Sequence, residues 1–494
     1  MNLTELIGPT VSPTPGNPQL DDREIAGITA DSRQVRPGFL FAALRGTQTD
    51  GRAFAAEAVA KGAAAILTDD AAALALPEDS RTRIVVIADP NPQRRLALLA
   101  ARFYGRQPRV IAAVTGTNGK TSVAHFTREI WTALGHRAAS LGTLGLVSPG
   151  ARRAGSLTTP DPVGLHRDLA ALAQDGVDHL AIEASSHGLA QFRLDGVAVA
   201  AAAFTNLTRD HLDYHGDMAC YRAAKERLFA ELLEPGSAAI LNADSREFER
   251  LAALCAERRH RVIRYGAAAA AELRLIERIP THNGQRIGLS VFGDAYKVDL
   301  PLVGDFQAMN VLAALGLAIA TGAAPADAVD VLTGIDGVPG RMQFVGETPA
   351  RAAVFVDYAH TPDALETVLR ALRPHTKGRL TVVFGAGGDR DRGKRPMMGQ
   401  VAARFADLVY VTDDNPRSES PAAIRREILV AAPGAVEIGD RRSAIGAAIQ
   451  ALRAGDTLVL AGKGHETGQI VGREVLPFDD ALVAREALAA LAHP

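Results

Sequence analysis

The sequence predicts an α/β protein of three domains with mainly parallel sheets. Short β-rich apolar runs alternate with longer alanine- and leucine-rich helical patterns along almost the whole chain. At 494 residues the chain is too long for one hydrophobic core, and its length fits about three domains. Two breaks rich in glycine and proline, YGRQPRV at 104–110 and GVPGRM at 337–342, interrupt the alternation. They divide the chain into domains at 1–107, 108–338 and 339–494, each of ordinary size.

Composition narrows the class. Hydrophobic content of 47% and charged content of 22% are those of a soluble globular protein. A formal net charge of −2 gives no basic field for nucleic acid, so no nucleic-acid partner is expected. The cysteines, Cys220 and Cys255, make no disulfide framework and no zinc spacing. MNLTELIGPTVSPTPG lacks the basic stretch and long apolar core of a secretory signal. The longest alanine-rich runs fall well short of a membrane span. A reduced, cytoplasmic compartment and no membrane partner are the expectation.

The first element with chemistry is VIAAVTGTNGKTSVAHFTREIW at 110–131, a buried strand, a tight loop and an amphipathic helix. Gly116 and Gly119 let the loop turn so that successive N–H groups and the helix N-terminus face one point, which binds phosphate. Lys120 places a charge at the β- and γ-phosphates, and the Thr121 hydroxyl reaches toward Mg²⁺. Val114 stands where the full phosphate-loop pattern has its first glycine, so this is a compact relative of that loop. The competing reading is a plain glycine turn with a solvent lysine.

The next strand, HLAIEASSHG at 179–188, ends at Glu183 and then Ser185, Ser186 and His187. Glu183 suits a hard cation such as Mg²⁺; a strand-end glutamate also caps helices, and alone it does not decide. Downstream, NLTRDHLDYHGDMACYRAAKERLF at 206–229 puts His211 and His215 in a polar loop before a helix. In that helix Tyr221, Lys225, Leu228 and Phe229 share one face. Such a lysine usually snorkels to water. If it stays buried its pKa falls, and the neutral amine reacts with carbon dioxide to give a carbamate, an acidic metal ligand.

GTNGKTS, EASSHG, TNLTRDHLDYHG, the helix lysine, VDYAHTPD, GGDRDRGKRP, DDNPR and GKGHE occur in this order between about residues 20 and 470. Together they resemble the Mur ligases of peptidoglycan synthesis, most closely the branch that adds the third stem-peptide residue. The resemblance implies an N-terminal α/β domain for the UDP-sugar, a central ATPase and a Rossmann-like C-terminal domain. It implies ATP-driven amide formation through an acyl phosphate, with ATP and Mg²⁺ as cofactors. The partners it implies are UDP-N-acetylmuramoyl-L-alanyl-D-glutamate, meso-diaminopimelate and ATP; nothing in the sequence demands more than a monomer. The open alternatives are a lysine-adding sibling, a folylpolyglutamate-type synthetase, and a phosphate-loop NTPase that drives a conformational change.

The same resemblance assigns residues. Nucleotide phosphates lie on Gly116, Thr117, Asn118, Gly119, Lys120, Thr121 and Ser122. Thr121 and Glu183 hold one Mg²⁺, while His211 and a carbamylated Lys225 serve a second region of metal and γ-phosphate. Lys120, Glu183, His211 and Lys225 are the implied catalytic set. Asn310 in GDFQAMNVLAA, Arg341, Asp357 and His360 match further nucleotide contacts. Ala30 and Ser32 in ITADSRQV, and Thr47, Gln48 and Thr49 in RGTQTDGR, match the uridine side of the sugar nucleotide. Thr158, Thr159, Ser185, Gln191 and Arg193 match its peptide side, although Leu157 stands where an asparagine often precedes the two threonines. Read without the resemblance, ADSR and TTPDP are turn chemistry.

Four strand-like runs in the last third end in polar clusters: VFVDYAH, TVVFGAGGDR, LVYVTDDNPR and LVLAGKGHE. Open parallel sheets bind ligands beyond the carboxyl ends of their strands, so the clusters are expected to wall one crevice. An acceptor with two amino-acid ends needs a contact for its distal carboxylate and another for its distal ammonium. Arg417 offers a planar fork for the carboxylate. Arg390 adds a cation, Asn415 an amide, Glu466 an anion for the ammonium, and the Gly462 carbonyl lies close by. Asp414 and Pro416 complete the DNPR loop, which the resemblance ties to the diaminopimelate-adding branch.

Overall fold

The computed structural model describes residues 1–8, 23–46, 49–77, 80, 84–155 and 157–492. The chain forms two compact units, one of residues 1–120 and 135–263, the other of 121–134 and 264–494.

The first unit opens with a four-stranded sheet of Gly27–Thr29, Phe39–Ala42, Ala65–Thr68 and Val85–Ala88, in that spatial order. All its pairings are parallel. Leu40 and Leu67 fill one face while Phe41 and Ile66 fill the other, as expected of a parallel sheet covered on both sides. Helix Pro92–Tyr104 follows, capped by Asn91 and stopped by Gly105 in the left-handed conformation.

The larger sheet of this unit is parallel through Leu233–Asn242, Val199–Phe204, Val110–Thr115, His179–Glu183 and Ala138–Gly142. An antiparallel ribbon, Gly145–Ser148 with Ala151–Arg153, extends it, a feature the sequence reading did not anticipate. Asp195 ties the two sheets' helical layers together, accepting from Arg94 Nε at 2.9 Å and from Arg227 at 2.7 Å.

The second unit contains an antiparallel meander of Leu273–Pro280, Gln285–Val291 and Asp294–Leu300. Helix Asp305–Ala320, apolar nearly all round, is buried along most of its length. A six-stranded sheet then runs Gln343–Glu347, Ala353–Asp357, Thr457–Ala461, Leu380–Phe384, Leu408–Val411, Val436–Glu437. Every pairing but the first is parallel. Apolar clusters cover both faces. The four runs expected to end together do so: Asp357, Phe384, Val411 and Ala461 all finish at the carboxyl edge of one sheet.

Candidate active site

The phosphate loop leaves strand Val110–Thr115 and enters helix Lys120–Ala133, whose first residues are Lys120, Thr121 and Ser122. Gly116 sits at φ +147° and Gly119 at φ +87°, backbone that side chains rarely tolerate. The loop is pinned by the end of strand Val199–Phe204 and the residues after it. Thr117 N donates to Asn206 O at 2.9 Å, Asn118 N to Asn206 Oδ1 at 3.0 Å, and Thr205 Oγ1 to Asn118 O at 2.6 Å. A Cβ on Gly116 would lie 1.9 Å from Thr205 Oγ1. Gly116→Ala is therefore expected to displace the loop and weaken ATP binding by at least about 30-fold, roughly 2 kcal/mol, with a folded far-UV spectrum; nucleotide titration by calorimetry checks this.

Two lysines converge on this loop. Lys120 Nζ donates to the carbonyl oxygens of Gly116 at 2.9 Å and Thr117 at 2.8 Å. Lys225 Nζ donates to the Gly116 oxygen at 2.7 Å. Lys225 is 2% exposed and lies 4.5 Å from the Tyr221 ring centre. The expected shared face of Tyr221, Lys225, Leu228 and Phe229 is present, and all four are buried. The helix does not stay regular along it: Met218–Arg227 is α-helical and Leu228–Leu232 is a π turn. Burial, helped by the Lys120 charge and opposed by Asp210, pushes the Lys225 ammonium down to about 6. Lys225 thus does not snorkel to water.

That shift has a stability consequence. An unfolded lysine keeps its proton up to its ordinary value of 10.5, whereas Lys225 in the fold gives it up near 6. Between those values the unfolded chain binds the extra proton, so Lys225's contribution to stability rises with pH across that window. Below it the full cost of the buried charge remains. Chemical denaturation should show Lys225→Met flattening the pH dependence between about pH 6 and 9.

Glu183 ends the strand next to the phosphate-loop strand, in register with Val114. It is 2% exposed, and its oxygens accept from Thr143 N at 2.8 Å and Thr143 Oγ1 at 3.2 Å. The carboxylate is thereby oriented rather than used as a helix cap. The predicted peptide-side residues join it in one network. Thr143 Oγ1 lies 3.2 Å from Thr158 Oγ1, and Thr159 Oγ1 donates to the Glu183 carbonyl at 2.8 Å and pairs with Ser185 Oγ at 2.9 Å. Arg193 donates to Thr159 O and Gln191 Oε1, both at 2.6 Å. Gln191 Nε2 reaches Tyr214 Oη at 2.9 Å. Leu157 is exposed and offers no polar contact.

His211 adopts φ +52° and its ring packs edge-on to His187 at 4.9 Å. The expected polar loop around it contains a short helix, Leu212–His215. His187, Tyr214 and His215 stack with one another and toward Tyr221, whose hydroxyl is 3.1 Å from Thr117 Oγ1. This aromatic cluster beside the loop has no role in the sequence reading. On the uridine side, Ala30 is exposed and Ser32 opens a short helix capped by Asp31. Thr49 is exposed, while Thr47 and Gln48 lie outside the described residues. His136, Asp178 and His179 form the one further trio of potential metal ligands among the described residues. It lies at the amino ends of its strands, opposite the phosphate loop, and contains none of the expected ligands.

In the second unit the DNPR and GKGHE loops at the sheet's carboxyl edge are hydrogen-bonded to each other. Asn415 Nδ2 donates to Glu466 Oε2 at 3.0 Å, and the Asn415 oxygen accepts from Lys463 Nζ at 2.8 Å and Ile470 N at 3.0 Å. Arg417 holds φ +52°, with its N donating to Ile470 O at 3.1 Å and its carbonyl accepting from Gly472 N at 2.8 Å. The hairpin Gly468–Val471/Glu474–Pro477 therefore clamps the DNPR loop from behind. Arg417 NH1 donates to Gly388 O at 2.8 Å, and a Cβ on Gly388 would strike Pro416 O at 1.9 Å, so only glycine fits there. Arg390 is exposed, donating to Asp389 O at 3.0 Å. Gly462 turns at φ +115° with Asp414 beside it.

The Tyr358 hydroxyl, raised chiefly by burial, also feels Glu466, Arg341, Asp414 and Arg417. Arg341 stacks over the Tyr358 ring at 4.8 Å. Asp357 is buried and raised by that burial, with Arg341 opposing, and accepts from Met342 N at 2.7 Å and Ala359 N at 2.8 Å. His360 Nδ1 lies 2.8 Å from Tyr358 O. Asn310 lies within helix Asp305–Ala320, its Nδ2 donating to Gln307 Oε1 at 3.0 Å. Lys463, fully buried, is the residue of this crevice to which the sequence reading gave no role.

A glycine loop on a parallel strand, an acidic strand end beside it and a charged sheet edge define a class of nucleotide-dependent ligases. The chain belongs to the Mur ligase family. Residues 24–104 match the family's catalytic domain, 114–318 the Mur ligase middle domain, and 340–464 the Mur ligase glutamate ligase domain. It is 54% identical, over 99% of both chains, to the UDP-N-acetylmuramoyl-L-alanyl-D-glutamate–2,6-diaminopimelate ligase of Bradyrhizobium diazoefficiens. The enzyme of that name from Caulobacter vibrioides is also 54% identical, over 95% of this chain and 97% of its own. A solved structure of a UDP-N-acetylmuramoyl-L-alanyl-D-glutamate–2,6-diaminopimelate ligase superposes with TM-score 0.77 at 33% identity, covering 100% of both chains. The fold is the three-domain α/β fold of that family.

Proposed function

We propose that this chain is the ATP-dependent ligase that adds meso-diaminopimelate to UDP-N-acetylmuramoyl-L-alanyl-D-glutamate, in the cytoplasmic assembly of peptidoglycan precursors. The observation that carries the substrate reading is the acceptor crevice, where the Arg417 loop and the Asn415–Glu466 pair sit on one sheet edge. An acceptor with a distal carboxylate and a distal ammonium satisfies both. The domains divide at 107/108 and 338/339, serving the sugar nucleotide, ATP and the acceptor in turn.

Gly116 to Ser122 receive the ATP phosphates, with Lys120 turning from the loop carbonyls to the phosphate oxygens. Asn310, Arg341, Asp357 and His360 complete the nucleotide contacts. Glu183 and Thr121 supply hard oxygen donors, which fit Mg²⁺; when bound, the ion neutralises phosphate charge. A carbamate on Lys225, formed from its neutral amine and carbon dioxide with loss of one proton, places an anion beside the loop, and with His211 it would serve a second region of metal and γ-phosphate. Ala30, Ser32, Thr47, Gln48 and Thr49 hold the uridine end, and Thr158, Thr159, Ser185, Gln191 and Arg193 the peptide end.

The D-glutamate γ-carboxylate takes the γ-phosphoryl group, releasing ADP. The acceptor amine attacks the acyl phosphate carbon, the C–O bond to phosphate breaks, and the amine loses a proton as the amide forms. No enzyme nucleophile is required; the residues position and stabilise charge. Lysine lacks the distal carboxylate and leaves Arg417 without its partner, a mismatch worth about 10⁴-fold in comparable polar pockets.

A phosphate-release assay with UDP-muramyl dipeptide and a panel of amino acids tests the reading. Release should depend on meso-diaminopimelate. Preference for lysine or glutamate would assign a sibling ligase, and release without any acceptor would assign an NTPase.

A further inference from the structure

Strand Thr457–Ala461 ends in a glycine turn that carries Lys463 inward, to 0% exposure. Lysine is almost never fully buried without partners. Its Nζ donates to Asn415 Oδ1 and Gly468 O, both at 2.8 Å, and lies 3.4 Å from Asp414 Oδ1 and 3.9 Å from Glu466 Oε2. Asp414 Oδ1 is buried and makes no hydrogen bond, so the ammonium is what compensates its charge.

The Asn415 amide has a determined orientation. Its oxygen faces two groups that can only donate, the Lys463 ammonium and the Ile470 N–H. Its NH₂ must then point the other way, to Glu466 Oε2 at 3.0 Å. Behind it the Arg441–Asp480 pair is fully buried at 2.6 Å, with Arg441 also donating to the Ala461 carbonyl at 3.1 Å. Lys463 and Arg441 thus stand between the carboxylates of Asp414, Glu466 and Asp480, and Lys394 also faces Asp414.

We propose that Lys463 is the positioning residue of the acceptor pocket: its buried ammonium fixes the Asn415 amide and, through it, aims the Glu466 carboxylate at the distal ammonium of the acceptor. This rests on the acceptor reading given above. The role is separate from attack or activation, because the ammonium touches only pocket residues. A compact cation with three donors fits these partners; a neutral or planar group leaves at least one unmatched.

Steady-state kinetics of the full chain test it, using wild type, Lys463→Met, Glu466→Gln and the double variant. Lys463→Met should raise KM for meso-diaminopimelate about 10-fold or more, with kcat and the KM values for ATP and UDP-muramyl dipeptide within about twofold. In the Glu466→Gln background the same change should add less than about threefold, because the two act as a unit. If Lys463→Met does not fold, Lys463→Gln, which keeps a donor but loses the charge, is read by the same criteria. An unchanged acceptor KM, a parallel rise in all three KM values, or full additivity with Glu466→Gln overturns the proposal. A wild-type enzyme that ignores meso-diaminopimelate instead overturns the substrate reading itself, a result visible before any variant is compared.

Discussion

Lys225→Ala is expected to lower kcat by at least about 10³-fold while leaving the KM for ATP within a few-fold. The side chain lies against the Gly116 carbonyl at 2.7 Å, inside the loop proposed to hold the phosphates. Its amine, pushed down to about 6, is largely neutral at physiological pH and open to carbon dioxide. On the proposed mechanism, alanine removes the carbamate anion that stands beside the phosphate loop and offers nothing in its place. Short carboxylates such as formate or acetate should restore part of the rate by occupying the vacated volume. Stopped assays of the variant with and without added carboxylate check both halves. A fully active alanine variant would remove Lys225 from the mechanism.

The second large effect is at the acceptor end. Arg417→Ala should cut kcat/KM for meso-diaminopimelate by roughly 10²- to 10³-fold, about 3–4 kcal/mol, the cost of deleting one partner of a desolvated charge pair. Binding of ATP and UDP-muramyl dipeptide should change little, because the hydrogen bonds of Arg417 among the described residues go to the Gly388 carbonyl and the hairpin behind it. Discrimination against lysine should shrink by a similar factor, since lysine never used this contact. Unchanged turnover with meso-diaminopimelate would place the distal carboxylate elsewhere.

Much of this site is legible in the chain because glycine and charge mark it. The phosphate loop shows as a strand, paired glycines and Lys-Thr, and the four polar strand ends converge because parallel strands share a direction. Lys225 stands out as a lysine at an apolar register position. What stays hidden depends on tertiary packing. No local pattern distinguishes the π turn at Leu228–Leu232 from continued helix. The antiparallel ribbon at 145–153 is short and mostly polar, without the apolar run that marks the buried strands. Lys463 is hidden differently: GKGHE shows it to be unusual, but its burial depends on Asn415 and Gly468, which only the folded sheet edge brings to it. The His187–Tyr214–His215 cluster is visible as residues, whereas its stacking requires the fold.

The most direct measurement of the central claim is a crystal structure of the enzyme with meso-diaminopimelate, solved to resolve side-chain contacts. The distal carboxylate should accept a forked pair of hydrogen bonds from Arg417, and the distal ammonium should donate to Glu466, both within about 3 Å. Density for the acceptor away from the DNPR and GKGHE loops, or with its two ends reversed, would contradict the account.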